Sequence, residues 1–356
     1  MYKITAIITL IMSSQFVFAL GTGDVVGKHI FGLARDYQAD PVVINNEPLI
    51  YTSDPASLDL ALDDAAFRVS LFDASIGSIY LTRFENNRVY TNTEYLDLSE
   101  VQGLSRPVSP VLTNWNSVIF SEAALVDVAN ADSFKSEFMH YFKTDTEKVK
   151  PYNYGWIGEL VVFDAAGNAK AIKNYAMGRV AASQVLPMPD NRTFYLLDAD
   201  NSGNTYVFVA DKEKTMTQGT LYLMHAQNSK PSYLKLGDAS ALKIKFRLAK
   251  AKFEDVFDKL DPLNGICPDK YQYINTVYGE ECLSINKRYA SFAGQLEPVR
   301  YAALAGAVPY VKAVSSLRLD VKANQLIFNN KNGNNVILSL VKNPSMNSDY
   351  IAEDRK

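Results

Sequence analysis

A short polar run that begins at Asp198 has the residue types and the spacing of a metal-binding loop. Asp198, Asp200 and Ser202 stand at the first, third and fifth positions of the pattern that opens a calcium loop, and Gly203 stands at the sixth. The twelfth position, which would carry a bidentate glutamate, is Val209. We therefore favour a polar turn between two strands, with a single weakly held calcium ion as the alternative.

Glu122 is a further acidic group that could hold a metal ion. It ends the apolar segment VIFSEA, and its position fits a metal ligand and a water-facing strand end equally well. Arg179 lies between Gly178 and an apolar run and could support the mouth of a channel, but we favour a pair with a surface acid. The three histidines have no metal-binding spacing, so we assign them surface or packing roles (His29, His140 and His225).

The elements that must position these groups are mostly strands. Between residues 152 and 226, apolar runs rich in Tyr, Phe and Val alternate with short turns that contain Gly, Asn and Asp. This spacing is typical of an antiparallel sheet, and no helical pattern long enough for a βαβ unit separates the runs. The sequence therefore predicts an all-β core with strands at 158–163, 193–197, 205–209 and 220–224.

One later region departs from the strand pattern. Residues 238–260 mix apolar and charged side chains at a spacing nearer 3.6 than 2, which predicts one or two helices. A further helix is predicted over 296–305, before Gly306 and Pro309. We therefore predict a single domain over 20–356, with a small helical and disulfide-bearing insertion at about 238–306.

The N-terminal residues are typical of a secretory signal peptide. Lys3 precedes an apolar run, and the small residue Ala19 closes the segment, so we predict a signal peptide over 1–19 that is cleaved after Ala19. No twin arginine is present, which favours the general export route and a periplasmic or secreted protein. No later apolar run is long enough for a membrane span. A formal net charge of −3 without a Lys/Arg block argues against a nucleic-acid partner.

The two cysteines, Cys267 and Cys282, lie close together in one stretch of the chain. In an exported protein this arrangement favours a disulfide over a metal pair, because no histidine or further cysteine is near. By the loop-entropy estimate such a bond contributes about 3 kcal/mol.

Long stretches of the chain resemble the PhoX-type secreted alkaline phosphatases. The central ones are YGWIGELVVFDAAGNAKAIKNYAMGR, MPDNRTFYLLDAD, YVFVADK and GTLYL. EYLDLSEV and TNWNSVIFSEA precede them, and INTVYGEECL, LEPVRYAALAGA and LDVKANQLIF follow. The resemblance covers roughly residues 94–338 and implies a six-bladed β-propeller. It also implies an iron and calcium cluster at one mouth that hydrolyses phosphomonoesters. The ring is expected either to carry an incomplete blade or to close with the N-terminal segment.

The same resemblance shows that most of the cluster's ligands are missing. Where the family has a cysteine this chain has Val108, and the histidine and glutamate expected near residue 183 are replaced by Ala182 and Ser183. Ser315 stands near the position of a further metal-binding glutamate. The groups that remain are Glu122, Asp198 and Lys312, the last near a phosphate-binding arginine position.

Two carboxylates cannot neutralise a cluster of di- and trivalent cations. We therefore expect an exported PhoX-like propeller without the iron–calcium cluster, a pseudoenzyme that binds a small ligand or a protein partner. This interpretation argues against a bound iron ion and is compatible with a bound calcium ion. The alternative is a phosphomonoester hydrolase with a reduced calcium site on Glu122, Asp198 and Asp200, where Lys312 holds the phosphate.

Overall fold

The computed structural model describes residues 55–354, apart from 63–64, 86–88, 125, 144 and 200–202, together with four short N-terminal strands. The short strands form two antiparallel pairs: β1 (Ile7–Leu10) with β2 (Phe16–Ala19), and β3 (Val43–Ile44) with β4 (Glu47–Pro48). Most of the predicted signal peptide lies outside the described residues, so that peptide stays a prediction. Among the described helices, none combines the length and apolarity that a bilayer crossing requires.

Five larger antiparallel sheets follow one another along the chain, as the strand periodicity predicts. The first contains β5 (Ala56–Leu62), β6 (Ala65–Phe72), β7 (Ser78–Glu85) and β8 (Val89–Tyr95). The second contains β9 (Pro107–Leu112), β10 (Val118–Glu122), β11 (Ile157–Val162) and β12 (Ala169–Lys173). The third contains β13 (Ala182–Pro187), β14 (Thr193–Asp198), β15 (Thr205–Lys212), β16 (Thr215–Gln227) and β17 (Lys230–Gly237).

The fourth and fifth sheets lie in the C-terminal part of the described chain. The fourth contains β18 (Phe257–Leu260), β19 (Gln272–Thr276) and β20 (Gly279–Ile285), with β20 in the centre. The fifth contains β21 (Val314–Asp320), β22 (Gln325–Asn330), β23 (Asn335–Asn343) and β24 (Ser348–Glu353). In all the larger sheets except the fourth, hydrogen-bonded neighbours are consecutive in the chain, which is the pattern of an antiparallel meander.

The helices are short. They are α1 (Asp132–Phe138), α2 (Ala241–Leu248), α3 (Phe253–Val256), α4 (Ala293–Leu296) and α5 (Pro298–Leu304). Single 3₁₀ turns lie at Ser99–Val101, Val128–Asn130, Met139–Phe142, Thr146–Lys148, Pro151–Asn153 and Tyr175–Met177. Four of the five helices in the described residues lie within residues 238–306, and so does the fourth sheet, which the sequence did not predict. We call residues 238–306 the helical insertion, although their role as an insertion into a single domain stays a prediction.

Neighbouring sheets share hydrophobic cores. One cluster joins the first and second sheets, a second joins the second and third, and a third joins the third and fifth. The strands β10 and β14 are buried along their whole length, which explains their continuous apolar sequences. A fourth cluster packs the helical insertion against Tyr152 and Trp156. Within the described residues, no cluster joins the fifth sheet to the first, so a closed ring is not shown.

Candidate functional site

The first strands of three sheets begin at a common end of the molecule. Ser109 near the start of β9 donates its hydroxyl to Ser183 O near the start of β13, at 2.6 Å. The Gln184 side chain donates to Leu317 O at 2.8 Å and accepts from Leu317 N at 2.7 Å, which ties β13 to β21. We call this edge, where β9, β13 and β21 begin, the strand-start end. In antiparallel sheets the second strands finish there, so Glu122 and Asp198, the last residues of β10 and β14, belong to it.

Glu122 is fully buried and bound on both carboxylate oxygens. Its Oε1 accepts from Ser105 N at 2.9 Å and lies 3.1 Å from Lys173 Nζ, and its Oε2 accepts from Trp156 N at 3.1 Å. Lys173, the last residue of β12, is equally buried and also donates to Asn153 O at 2.7 Å. The structure therefore places the carboxylate in a closed ion pair and not on a water-facing strand end.

Burial and pairing act in opposite directions on these two charges. Burial raises the pKa of Glu122, whereas the Lys173 ammonium and the two backbone N–H groups oppose that rise. Burial lowers the pKa of Lys173, and Glu122 opposes that fall. The Lys173 ammonium also lies 4.6 Å from the centre of the Tyr154 ring, which favours its charged form. The unit is neutral overall and has its main hydrogen-bonding needs met within the protein.

Asp198 lies beside a very small cavity. It is buried, and its Oδ2 accepts from the Tyr206 hydroxyl at 3.4 Å. Arg179, Tyr278 and Glu297 also line this cavity, whose volume is about 10 Å³. A space of that size holds about one water molecule. This cavity is therefore too small for a phosphate ester.

The other predicted site residues have different surroundings. Asp200 lies outside the described residues. Lys312 is exposed, and Gly203 packs against its backbone, because a Cβ built on Gly203 would lie 3.4 Å from Lys312 Cα. Asp198 and Lys312 are thus in the same neighbourhood, while Ser105, Trp156 and Lys173, which contact Glu122, lie in and beside the second sheet. The use of Glu122, Asp198 and Asp200 as metal ligands, and of Lys312 as a phosphate ligand, stays a prediction.

Two serines that replace expected metal ligands hold strands together. The Ser183 hydroxyl donates to Leu197 O at 3.2 Å and to Asp198 O at 3.3 Å. The Ser315 hydroxyl donates to Asn329 O at 2.9 Å. Each hydroxyl is therefore engaged with the backbone of the adjacent strand of its own sheet.

A buried ion network centred on Arg300 was not predicted from the sequence. Arg300 binds Glu281 through two parallel contacts, Nε to Oε2 at 2.7 Å and Nη2 to Oε1 at 2.9 Å. It also donates to Glu297 Oε2 at 3.0 Å and to Asp127 Oδ1 at 2.8 Å. Burial opposes the charge on Arg300, but these carboxylates outweigh it and raise the arginine pKa above its ordinary value.

Arg179 extends this network, which corrects its expected pairing with a surface acid. Its guanidinium lies 3.3 Å from Glu297 Oε1, and Glu297 is buried. It also donates to Val126 O at 3.0 and 3.2 Å and to Leu296 O at 3.1 Å. Arg179 thus fastens the region after β12 to the helical insertion.

The complete network is neutral. Lys259 joins the network because its Nζ lies 2.8 Å from Glu281 Oε1. The centre of the Tyr278 ring lies 3.9 Å from the guanidinium carbon of Arg300. Its six charged members are Asp127, Arg179, Lys259, Glu281, Glu297 and Arg300. Within the sequence, only the three-residue spacing of Glu297 and Arg300 in LEPVR could have indicated this network, since its other members lie far apart along the chain.

The residues described do not fit an iron–calcium cluster. Both cysteines form the predicted disulfide, with a Cα–Cα distance of 5.5 Å, so neither supplies a thiolate. In the part of the chain that the structure describes, no group of three or more His, Cys, Asp or Glu side chains is arranged to hold a metal ion. The carboxylate that survives at Glu122 already faces an ammonium group.

A larger open groove lies beside Tyr152 and Phe253. It has a volume of about 480 Å³ and runs between the 128–135 segment and the 251–254 segment. Tyr152 and Pro151 form part of its wall. Its volume falls within the range of small-molecule sites, about 300–1,000 Å³.

No family model and no curated protein matches the chain. Among solved structures, Pseudomonas fluorescens PhoX in complex with vanadate is 13% identical, with 81% of this chain and 77% of that chain covered and a TM-score of 0.38. A putative 6-phosphogluconolactonase from Bacteroides uniformis is 12% identical, with coverages of 81% and 80% and a TM-score of 0.22. Both likenesses are weak, and neither carries a functional conclusion.

Proposed function

We propose that this chain is an exported, propeller-like binding protein that lacks the iron–calcium phosphatase cluster. The consecutive meanders, with their first strands side by side, support a six-bladed, PhoX-like propeller in which either one blade is incomplete or the N-terminal segment closes the ring. The signal-like N terminus and the disulfide support export, because disulfides persist in oxidising compartments.

The ion pair between Glu122 and Lys173 carries the proposal. A metal ion on Glu122 would have to lie beside a buried ammonium group 3.1 Å away, or displace it. Two like charges in a buried site repel strongly, and moving the ammonium would break its bond to Asn153 O. The lysine therefore supplies the positive charge that a metal ion would otherwise provide to this carboxylate.

The open groove is the proposed ligand site. The cavity beside Asp198 holds about one water molecule, whereas the groove beside Tyr152 is large enough for a small molecule or a short peptide. Its wall combines apolar groups such as Phe253 with the charged side chains of Asp132, Lys135 and Lys252. This mixture suits an amphipathic ligand.

Metal analysis and a phosphatase assay test the proposal together. Purified mature protein should contain far less than one iron per chain and should not hydrolyse a chromogenic phosphomonoester above the blank, with or without calcium. Stoichiometric iron, or turnover that Glu122→Gln abolishes, would show that the proposal is wrong. The exposed variant Lys322→Gln serves as the matched control, because it should change neither readout.

One observation favours the calcium-dependent hydrolase as a second candidate. Gly203 packs against the backbone of Lys312, and Asp198 N donates to Asn204 O at 3.1 Å, which places a carboxylate and a cation in one neighbourhood. In that case calcium would raise turnover, and Asp198→Asn and Lys312→Met would each reduce it, while Glu122→Gln would have a smaller effect. Calcium-independent background in all variants would remove this candidate.

A further inference from the structure

The helix α2 has two apolar faces, and only one of them is buried. Ile244 and Leu248 pack into the cluster of the helical insertion. Leu242 and Phe246 point the other way and are 78% and 80% exposed. Because residues four apart lie on one face of a helix, these two side chains form a single patch, which Ala249 extends by one turn. We call Leu242, Phe246 and Ala249 the outer stripe.

Lysines border the outer stripe on both sides. At about 100° per residue, Lys243 and Lys250 lie on one side of it and Lys245 lies on the other, and all three are exposed. Residues 241–252 contain five Lys or Arg and no Asp or Glu, although the whole chain has a net charge of −3. Whole-chain composition therefore conceals a local basic segment.

These lysines form no ion pair in the described part of the protein. None of the ion pairs found there includes Lys243, Lys245 or Lys250. Asp238, which lies close enough to Lys243 to interact with it electrostatically, is already paired with Lys235 at 2.7 Å. The positive charge along the stripe is thus available to an outside partner.

The helix is held firmly beneath the stripe. Lys150 Nζ donates to Ala249 O at 3.0 Å at the C-terminal end of α2, which also adds a cation there. The Arg247 guanidinium carbon lies 5.5 Å from the centre of the Tyr289 ring and 5.2 Å from that of Phe292. The exposed apolar side chains therefore belong to an anchored element.

We propose that the outer stripe binds the surface of an anionic lipid bilayer. An apolar ridge bordered by lysines is the arrangement of interfacial helices, in which apolar side chains enter the interface and lysines extend to the headgroups. The ridge is convex, and lysines are compact charges that suit a surface with many equivalent acceptors. Leu242 and Phe246 would enter the interface, while Lys243, Lys245 and Lys250 contact lipid phosphates. This inference does not depend on the proposed function.

Vesicle sedimentation with the full-length mature protein tests this inference. The protein should sediment with vesicles of phosphatidylcholine and phosphatidylglycerol, and much less with phosphatidylcholine alone or at high salt. Leu242→Ser with Phe246→Ser should weaken binding about tenfold or more, and Lys243→Glu with Lys245→Glu by at least as much. The control Val321→Ser with Lys322→Glu changes an exposed apolar residue, 69% exposed, and an exposed lysine elsewhere, and should bind like the wild type.

A second readout reports on the stripe itself. Phe246→Trp should show a blue-shifted emission with anionic vesicles, because the indole enters a less polar environment. Equal binding to neutral vesicles, unchanged binding by the stripe variants, or no shift at position 246 would each overturn the proposal. Self-association of the wild type that Leu242→Ser with Phe246→Ser abolishes would also overturn it and assign the stripe to a protein contact.

Discussion

Replacing Lys173 with methionine should destabilise the protein by about 3–5 kcal/mol, because it removes the cation from a carboxylate that stays buried. The exposed side-chain fractions are 1% for Lys173 and 0% for Glu122, so water cannot solvate the remaining charge. Glu122 keeps the backbone N–H groups of Ser105 and Trp156, which offset part of the loss. Asn153 O loses its donor from Lys173, which adds about 1 kcal/mol.

A double-mutant cycle separates the pair from other effects. Urea unfolding at pH 7, followed by tryptophan fluorescence, compares the wild type, Lys173→Met, Glu122→Gln and the double variant. Each single variant leaves a buried charge or donor without its partner, but the double variant leaves no charge. We therefore expect the double variant to lose much less stability than the sum of the single losses, with a coupling of about 2 kcal/mol or more.

The pH dependence of Lys173→Met gives an independent check. Burial raises the pKa of Glu122, and removal of the lysine raises it further. When the folded-state pKa of a carboxyl group is higher than its unfolded-state pKa, the protein has its full stability below the unfolded-state pKa, because the group is then protonated in both states. That stability is lost as the pH rises through the folded-state pKa. The deficit of Lys173→Met should therefore shrink as the pH falls from 7 to about 5. A deficit below about 1 kcal/mol at pH 7, an additive cycle or no pH dependence would refute the buried ion pair.

The remaining predictions use the same unfolding assay. Arg300→Met should lower the free energy of unfolding by about 3–5 kcal/mol, because it leaves buried carboxylates without their cation. The control Arg106→Ala removes an exposed ion pair and should lower it by less than about 1 kcal/mol. Equal losses in the two variants would contradict this prediction. Cys267→Ser with Cys282→Ser should lower the unfolding free energy by about 3 kcal/mol, and an unchanged urea midpoint would argue against the disulfide. Gln184→Ala removes two hydrogen bonds between the third and fifth sheets and should cost about 1–3 kcal/mol, unlike an exposed Gln→Ala elsewhere.

The strands that the sequence predicted best are those whose side chains are buried. Residues 205–209 form a continuous apolar run, and β15 is buried from Thr205 to Ala210. The fourth sheet was missed because its strand β19 is mostly polar and exposed. In β19 only Ile274 is buried, so the apolar alternation that marks a strand is absent. The helices predicted at 238–260 are present, but residues 257–260 form β18 instead, because they pair with the unpredicted β20.

The sequence identified only one member of the ion pair between Glu122 and Lys173, because a candidate carboxylate can be recognised from the sequence whereas the cation that pairs with it cannot. Glu122 was identified as a possible ligand from its position after an apolar strand. Lys173 ends the segment AKAIK, which looks like an exposed edge strand, and Lys170 is indeed exposed. Lys173 is buried because the last position of β12 lies beneath Tyr154 and next to Asn153, and neither contact leaves a local sequence pattern.

Among the described residues, Glu122, Lys173 and the members of the Arg300 network form ion pairs, whereas the exposed lysines on α2 do not. Glu122 and the three acids of the Arg300 network all have basic partners, so these acids neutralise protein cations and none of the four is left to neutralise a metal ion. Pairing of this kind holds the second and third sheets to the helical insertion, and that insertion carries α2. Lysines that form no ion pair with any described residue lie on α2 and its C-terminal end, outside the network and beside exposed apolar side chains. Glu122 at the strand-start end is thus paired within the protein, whereas α2 and its C-terminal end carry the lysines on which the proposed contact with an anionic bilayer depends.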